Sequence, residues 1–230
     1  MSTKTLPGRS IKRKAYEILN SKDVESAIED LCRLPLRQVI NSLFPLLYGG
    51  DLEIKWRAVM AMGAVVARLA REDIESARVI IRRLMWNLND ESGGIGWGSP
   101  EAMGEILANS NALAGEYSKI LVSYARKDGN YQENEIMQRG VLWGIGRLAQ
   151  VNPELIKGSV PYITPYLESS DATVRGLAGW IMGLLGTEDA SSRLETLTGA
   201  EAEIQVFMDG RLVNLRVKDM AAEALRRIGR

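Results

Sequence analysis

The chain has 230 residues, 46% of them apolar and 25% charged, with 29 basic and 29 acidic side chains. This length and composition suit a well-cored globular protein, and the zero net charge leaves no whole-domain basic footprint for nucleic acid. There is no histidine and Cys32 is the single cysteine, which excludes Ser–His and Cys–His nucleophiles, imidazole-ligated metals, an intrachain disulfide and a thiolate zinc cluster.

Lys4, Arg9, Lys12, Arg13 and Lys14 make residues 1–20 a basic amino-terminal segment. No apolar stretch follows it, so it does not read as a secretory signal. No apolar run approaches the roughly 20 residues that span a bilayer, so a cytoplasmic protein without membrane contact is expected. Residues 21–50 hold two helical stretches, Val24–Arg33 and Leu36–Leu47, which read as a capping pair.

From 51 to 200 the chain repeats itself. In Val174-Arg175-Gly176-Leu177-Ala178-Gly179-Trp180-Ile181-Met182-Gly183-Leu184-Leu185-Gly186, an aliphatic residue and a base precede small or apolar residues at helical spacing. The same frame runs from Val217-Lys218 to Gly229. It recurs from Ile54-Lys55 through Ala58, Ala61, Met62, Gly63 and Val65, and from Met137-Gln138 through Val141, Gly144, Ile145, Gly146 and Leu148. A weaker copy runs from Gly98 through Ala102 and Ile106. The frames start at 54, 98, 137, 174 and 217, intervals of 44, 39, 37 and 43 residues, near the roughly 40–47 of helical-pair repeats. Asp51, Asn134 and Asp171 each stand three residues before a frame, placed to cap its helix. Glu72–Asn87, Gly115–Arg126 and Pro153–Leu167 supply the second helices.

This pattern resembles the HEAT-repeat superfamily, and more narrowly the PBS-lyase HEAT-like repeats of prokaryotic proteins, over about residues 50–230. Val174-Arg175…Ala178…Gly183…Leu185-Gly186 carries the resemblance most clearly. It implies an all-α, right-handed α-α superhelix of the HEAT/armadillo type, here one domain over 1–230. Members include scaffolds, bilin lyases and a metal-dependent hydroxylase whose His-Glu motifs this chain cannot form.

Residues 201–217 depart from the helical pattern. Glu203 to Arg216 reads as a β-hairpin about Asp209-Gly210, with Val206 opposite Val213 and Ile204 opposite Leu215 on one face. The expected role is a cap near the carboxy terminus, before a last helix over 218–230. A partner-binding edge is the alternative.

The stretch 86–101 is the candidate site. It carries Gly93, Gly94, Gly96 and Gly98, then Ser99-Pro100 as a helix start. No Lys or Arg occurs from Leu84 to Ser118, whereas Asp90, Glu91, Glu101, Glu105 and Glu116 do. No Gly-Lys-Ser/Thr follows, so a phosphate loop is not indicated. A carboxylate site for Mg, Ca or Mn built on Glu101 and Glu105 with Asp90 or Glu91 is one reading. A structural loop plugged by Trp97 is another. The third is a binding groove of Trp86, Asn89, Asp90, Glu91, Trp97, Glu101, Glu105, Arg139 and Trp143, with Arg139 paired to Glu101 or Glu105. Trp143 and Trp180 also suit an inter-repeat core. Arg68, Arg71, Arg78, Arg82 and Arg83 interleave with Glu72, Asp73 and Glu75 and read as a solvated helix face.

The functional expectation is a non-catalytic scaffold that holds a protein or peptide partner on its concave surface and the 86–101 loop. It assigns no catalytic residue, metal or cofactor. The first alternative is a HEAT-like alkylpurine DNA glycosylase, with Trp86, Asp90, Trp143 and Trp180 in its groove. Neutral charge disfavours it, because duplex binding rests on phosphate neutralisation. A bilin-lyase-like scaffold is the second alternative.

Overall fold

The structure, a computed structural model, describes residues 8–20, 23–89 and 96–229. The chain forms two compact units, one ending at Leu113 and the other starting at Ala114.

The first unit contains α1 (Gly8–Leu19), α2 (Val24–Cys32), α3 (Leu36–Leu47), α4 (Leu52–Glu72), α5 (Ile74–Leu88) and α6 (Ser99–Asn109). Residues 8–19 of the basic amino-terminal segment are therefore a helix. Ile11, Ala15 and Leu19 recur every fourth residue and are buried, and α1 packs on α2 and α3. Sequence reading missed α1 because its basic residues masked this narrow apolar stripe. The long α4 starts at Asp51, whose side chain accepts the Ile54 amide. It packs against α3, α5 and α6. A Cβ at Gly63 would lie 2.5 Å from Glu105 Cγ, so the glycine sets how closely α4 and α6 approach.

The second unit takes in most of α7 (Asn111–Ser123), then α8 (Glu135–Val151), α9 (Val160–Ile163), α10 (Ala172–Leu185), α11 (Ser191–Leu197), strands β1 (Glu203–Met208) and β2 (Arg211–Arg216), and α12 (Val217–Ile228). Asn134 caps α8 through the amides of Ile136 and Met137. Asp171 caps α10 through Val174. The first helices stack in series, α8 on α10 and α10 on α12. Small residues permit that approach: a Cβ at Gly146 would enter the Trp180 ring, and one at Gly183 would lie 2.7 Å from Ala224 Cα.

The helix expected over Pro153–Leu167 is broken. Two 3-10 turns, Pro153–Leu155 and Lys157–Ser159, precede α9, and a third, Thr164–Glu168, follows it. Pro161 and Pro165 remove amide donors and crowd the preceding turn, so one continuous helix cannot form.

The hairpin has the expected register, with Val206 opposite Val213 and Ile204 opposite Leu215. Asp209 and Gly210 have φ of +50° and +78°, the left-handed pair of a type I′ turn. Ile204, Val206 and Phe207 are buried, and the strands pack on α10 and α12.

Candidate functional site

Around the 86–101 stretch, Asp90 and Glu91 lie outside the described residues. Asn89 is exposed and ends α5, its amide bonded to the carbonyls of Met85 and Trp86. At the start of α6, Gly98 has φ +76°, and a Cβ there would collide with the Leu47 backbone. This glycine serves a close approach to α3.

Glu101 and Glu105 are not groove-lining groups. They are only 5% and 6% exposed. Glu101 Oε1 accepts from Lys55 Nζ at 2.7 Å, and Glu105 Oε1 accepts from Asn109 Nδ2 at 2.8 Å. Both belong to the packed interface of α4 and α6. Glu101 Oε2 and Ser99 Oγ are buried without a hydrogen-bond partner. Among the described residues no group of three or more acidic or cysteine side chains is arranged to hold a metal ion.

Arg139 and Trp143 also have their partners inside the second unit. Arg139 does not pair with Glu101 or Glu105; its Nε lies 3.1 Å from both Asp171 oxygens and its Nη2 also donates to that carboxylate. Burial alone would raise the Asp171 carboxyl, but Arg139 and the Val174 and Thr173 amides hold it below the usual carboxylate range. Trp143 is 4% exposed, and its indole N–H donates to the Phe207 carbonyl at 2.7 Å. In a two-residue hairpin the Met208–Arg211 pair flanking the turn is hydrogen-bonded. The next pair, Phe207–Leu212, therefore turns its backbone groups outward. Trp143 satisfies the outward carbonyl and ties the hairpin to α8. Trp143 is therefore packed against the hairpin and does not line an open groove.

Of the candidate residues, Trp86 lies on the solvent-facing side of α5. Trp86 is 63% exposed and Val79 53%. They stand seven residues apart, about two turns, and so line up along the helix. Arg82 and Arg83, both exposed, flank that line on either side. Neighbouring bases have carboxylates: Arg37 takes Asp73, Arg68 takes Glu72 and Arg78 takes Glu75. Arg82 has no ion-pair partner among the described residues. Arg83 stacks 3.8 Å over the Phe44 ring and donates to Asn41, which leaves its charge uncompensated. Sequence reading merged these residues into a solvated face because acidic and basic side chains alternate there. Glu72 and Glu75 are paired within their own helices, and Asp73 is taken by Arg37 of α3, a neighbour distant in sequence. Trp97, 43% exposed, precedes α6.

Residues 136–185, covering α8 to α10, match the model of a HEAT-like repeat. An uncharacterized protein of Archaeoglobus fulgidus is 25% identical over 184 residues, covering 80% of this chain and 93% of that one. The crystal structure of an engineered protein superposes with a TM-score of 0.54 at 18% identity and 96% coverage of both chains. The archaeal HEAT-like repeats protein from Thermococcus onnurineus NA1 gives a TM-score of 0.46 at 13% identity, covering 98% and 82%. The fold is mostly helical, of the HEAT/armadillo repeat type, with a small antiparallel hairpin. Within the matched segment, the Arg139–Asp171 pair joins α8 to the cap of α10. No described helix is long and apolar enough to cross a membrane.

Proposed function

We propose that this chain is a non-catalytic scaffold that holds a protein or peptide partner, with the outer face of α5 as a principal contact. One observation carries the reading: Val79 and Trp86 lie exposed in line, with the uncompensated guanidiniums of Arg82 and Arg83 beside them. Tryptophan and arginine dominate the energetics of protein interfaces, because each offers a large rigid contact area and, for Arg, several directed donors. A partner segment with apolar side chains to cover Val79 and Trp86 and carboxylates to reach the arginines matches this face.

The test compares the wild-type chain with a Trp86→Ala/Arg82→Glu double variant. Both side chains are exposed, so the fold is retained. A synthetic amphipathic peptide of leucine and glutamate binds the wild type, and the double variant weakens it at least ten-fold. In parallel, both proteins are immobilised in a cell extract, where at least one protein captured by the wild type is lost from the variant. Identical peptide affinity and identical capture would refute the scaffold assignment at this face. Tighter binding of alkylated duplex DNA, falling steeply with salt, would return the argument to nucleic acid.

A further inference from the structure

A separate site lies wholly within the second unit. The residues after α7 and the proline-broken run enclose a cleft of about 420 Å³, walled by Tyr131, Tyr162 and Tyr166 and by Pro161 and Pro165, with Lys127 at its rim. Its walls are fixed by internal hydrogen bonds. The Tyr166 hydroxyl donates to the Ala125 carbonyl at 3.0 Å. The Gln138 amide donates to Tyr131 Oη at 3.2 Å and to the carbonyls of Gln132 and Glu133.

The polar groups left over are mostly donors. Arg126 and Asp128 form a two-bond pair at 3.1 and 2.8 Å, and Arg126 also lies 4.4 Å over the Tyr162 ring, so their charges cancel locally. The Tyr162 hydroxyl and the exposed Lys127 ammonium make no hydrogen bond or ion pair among the described residues. The cleft thus offers ring faces, two free donors and one uncompensated positive charge.

A matching ligand is apolar, needs few acceptors for its own N–H groups, presents carbonyls and carries negative charge. A proline segment meets the first three conditions, because it has no backbone N–H and its polyproline II form holds its carbonyls outward. Such segments dock in aromatic-lined grooves with little ordering cost, being already extended. The charge at Lys127 supplies the fourth condition. We propose that this cleft binds an extended proline-rich peptide segment with an acidic residue next to its prolines.

The probe is a fluorescently labelled peptide of six prolines followed by glutamate, titrated by anisotropy against the full chain. Two controls replace the glutamate by lysine or the prolines by a glycine–serine sequence. Saturable binding is expected, at least ten-fold tighter than to either control. Tyr162→Ala should weaken it at least ten-fold, Lys127→Glu should invert the preference between glutamate and lysine peptides, and Arg82→Glu on α5 should change nothing. No saturable binding, equal binding of the controls, or indifference to both cleft variants would overturn the proposal. A measurement without variants guards against misfolding of Tyr162→Ala: amide shift changes in the wild type should cluster at residues 125–131 and 161–169. Changes centred elsewhere would also overturn it.

Discussion

Replacing Lys55 by Met is the sharpest perturbation of the first unit. Lys55 and Glu101 have side chains only 16% and 7% exposed, and their Nζ–Oε1 separation is 2.7 Å. Glu101 Oε2 has no other partner, so the lysine carries most of the compensation for burying this carboxylate. Methionine keeps the aliphatic stem and removes the charge. Leaving one buried member of an ion pair uncompensated costs about 3–5 kcal/mol. The cost of Lys55→Met should lie in that range, read from urea unfolding followed by helical circular dichroism. Two controls separate charge from packing. Arg13→Met, in a pair with side chains 79% and 64% exposed, should shift stability by less than about 1 kcal/mol. The Lys55→Met/Glu101→Leu double variant should recover most of the loss, since replacing a buried pair by apolar residues is often neutral or stabilising. If Lys55→Met costs under about 1 kcal/mol, or the double variant is less stable than the single one, the pair is not the buried electrostatic link described.

Four further outcomes follow from local geometry and electrostatics. Gly146→Ala should destabilise the protein by about 1–3 kcal/mol, because its Cβ enters the Trp180 ring. Gly179→Ala meets only Leu194 Cδ2 at 3.4 Å and should stabilise by up to about 1 kcal/mol through helix propensity; thermal melts with the same sign for both would contradict this. Trp143→Phe removes the donor to the Phe207 carbonyl and should cost about 1–3 kcal/mol, with faster amide exchange in the hairpin than in α4. Asp171 has a lowered folded-state pKa, so its stabilising contribution is present above its unfolded value near 3.9 and is lost as pH falls through the folded value. Asp171→Asn should therefore flatten the fall of stability below about pH 4, and an unchanged acid-side profile would show that this carboxylate does not drive it.

The helices, their repeat and the hairpin were legible in the sequence because local rules set them. The caps at Asp51, Asn134 and Asp171 act over three residues. The register of Val206 with Val213 follows from a two-residue turn. The small residues at 63, 146 and 183 recur at helical spacing wherever first helices must approach closely. Two local features were readable and misjudged: the buried stripe of α1, hidden by its charges, and the prolines that break 153–167.

The site depended on contacts between residues far apart in the chain, and periodicity carries no information about these. An acidic pair at helical spacing looks the same whether it faces solvent or a neighbouring helix, and only the packing of α4 on α6 decided that Glu101 and Glu105 are buried. Likewise the loss of Asp73 to Arg37 of α3 is a contact that the alternation of charge along 68–83 does not show. Sequence alone determined a helical-repeat chain with a hairpin and without histidine chemistry. Tertiary structure decided which of its charged and aromatic groups were consumed in holding that fold together and which, like Arg82 and Trp86, were left facing outward.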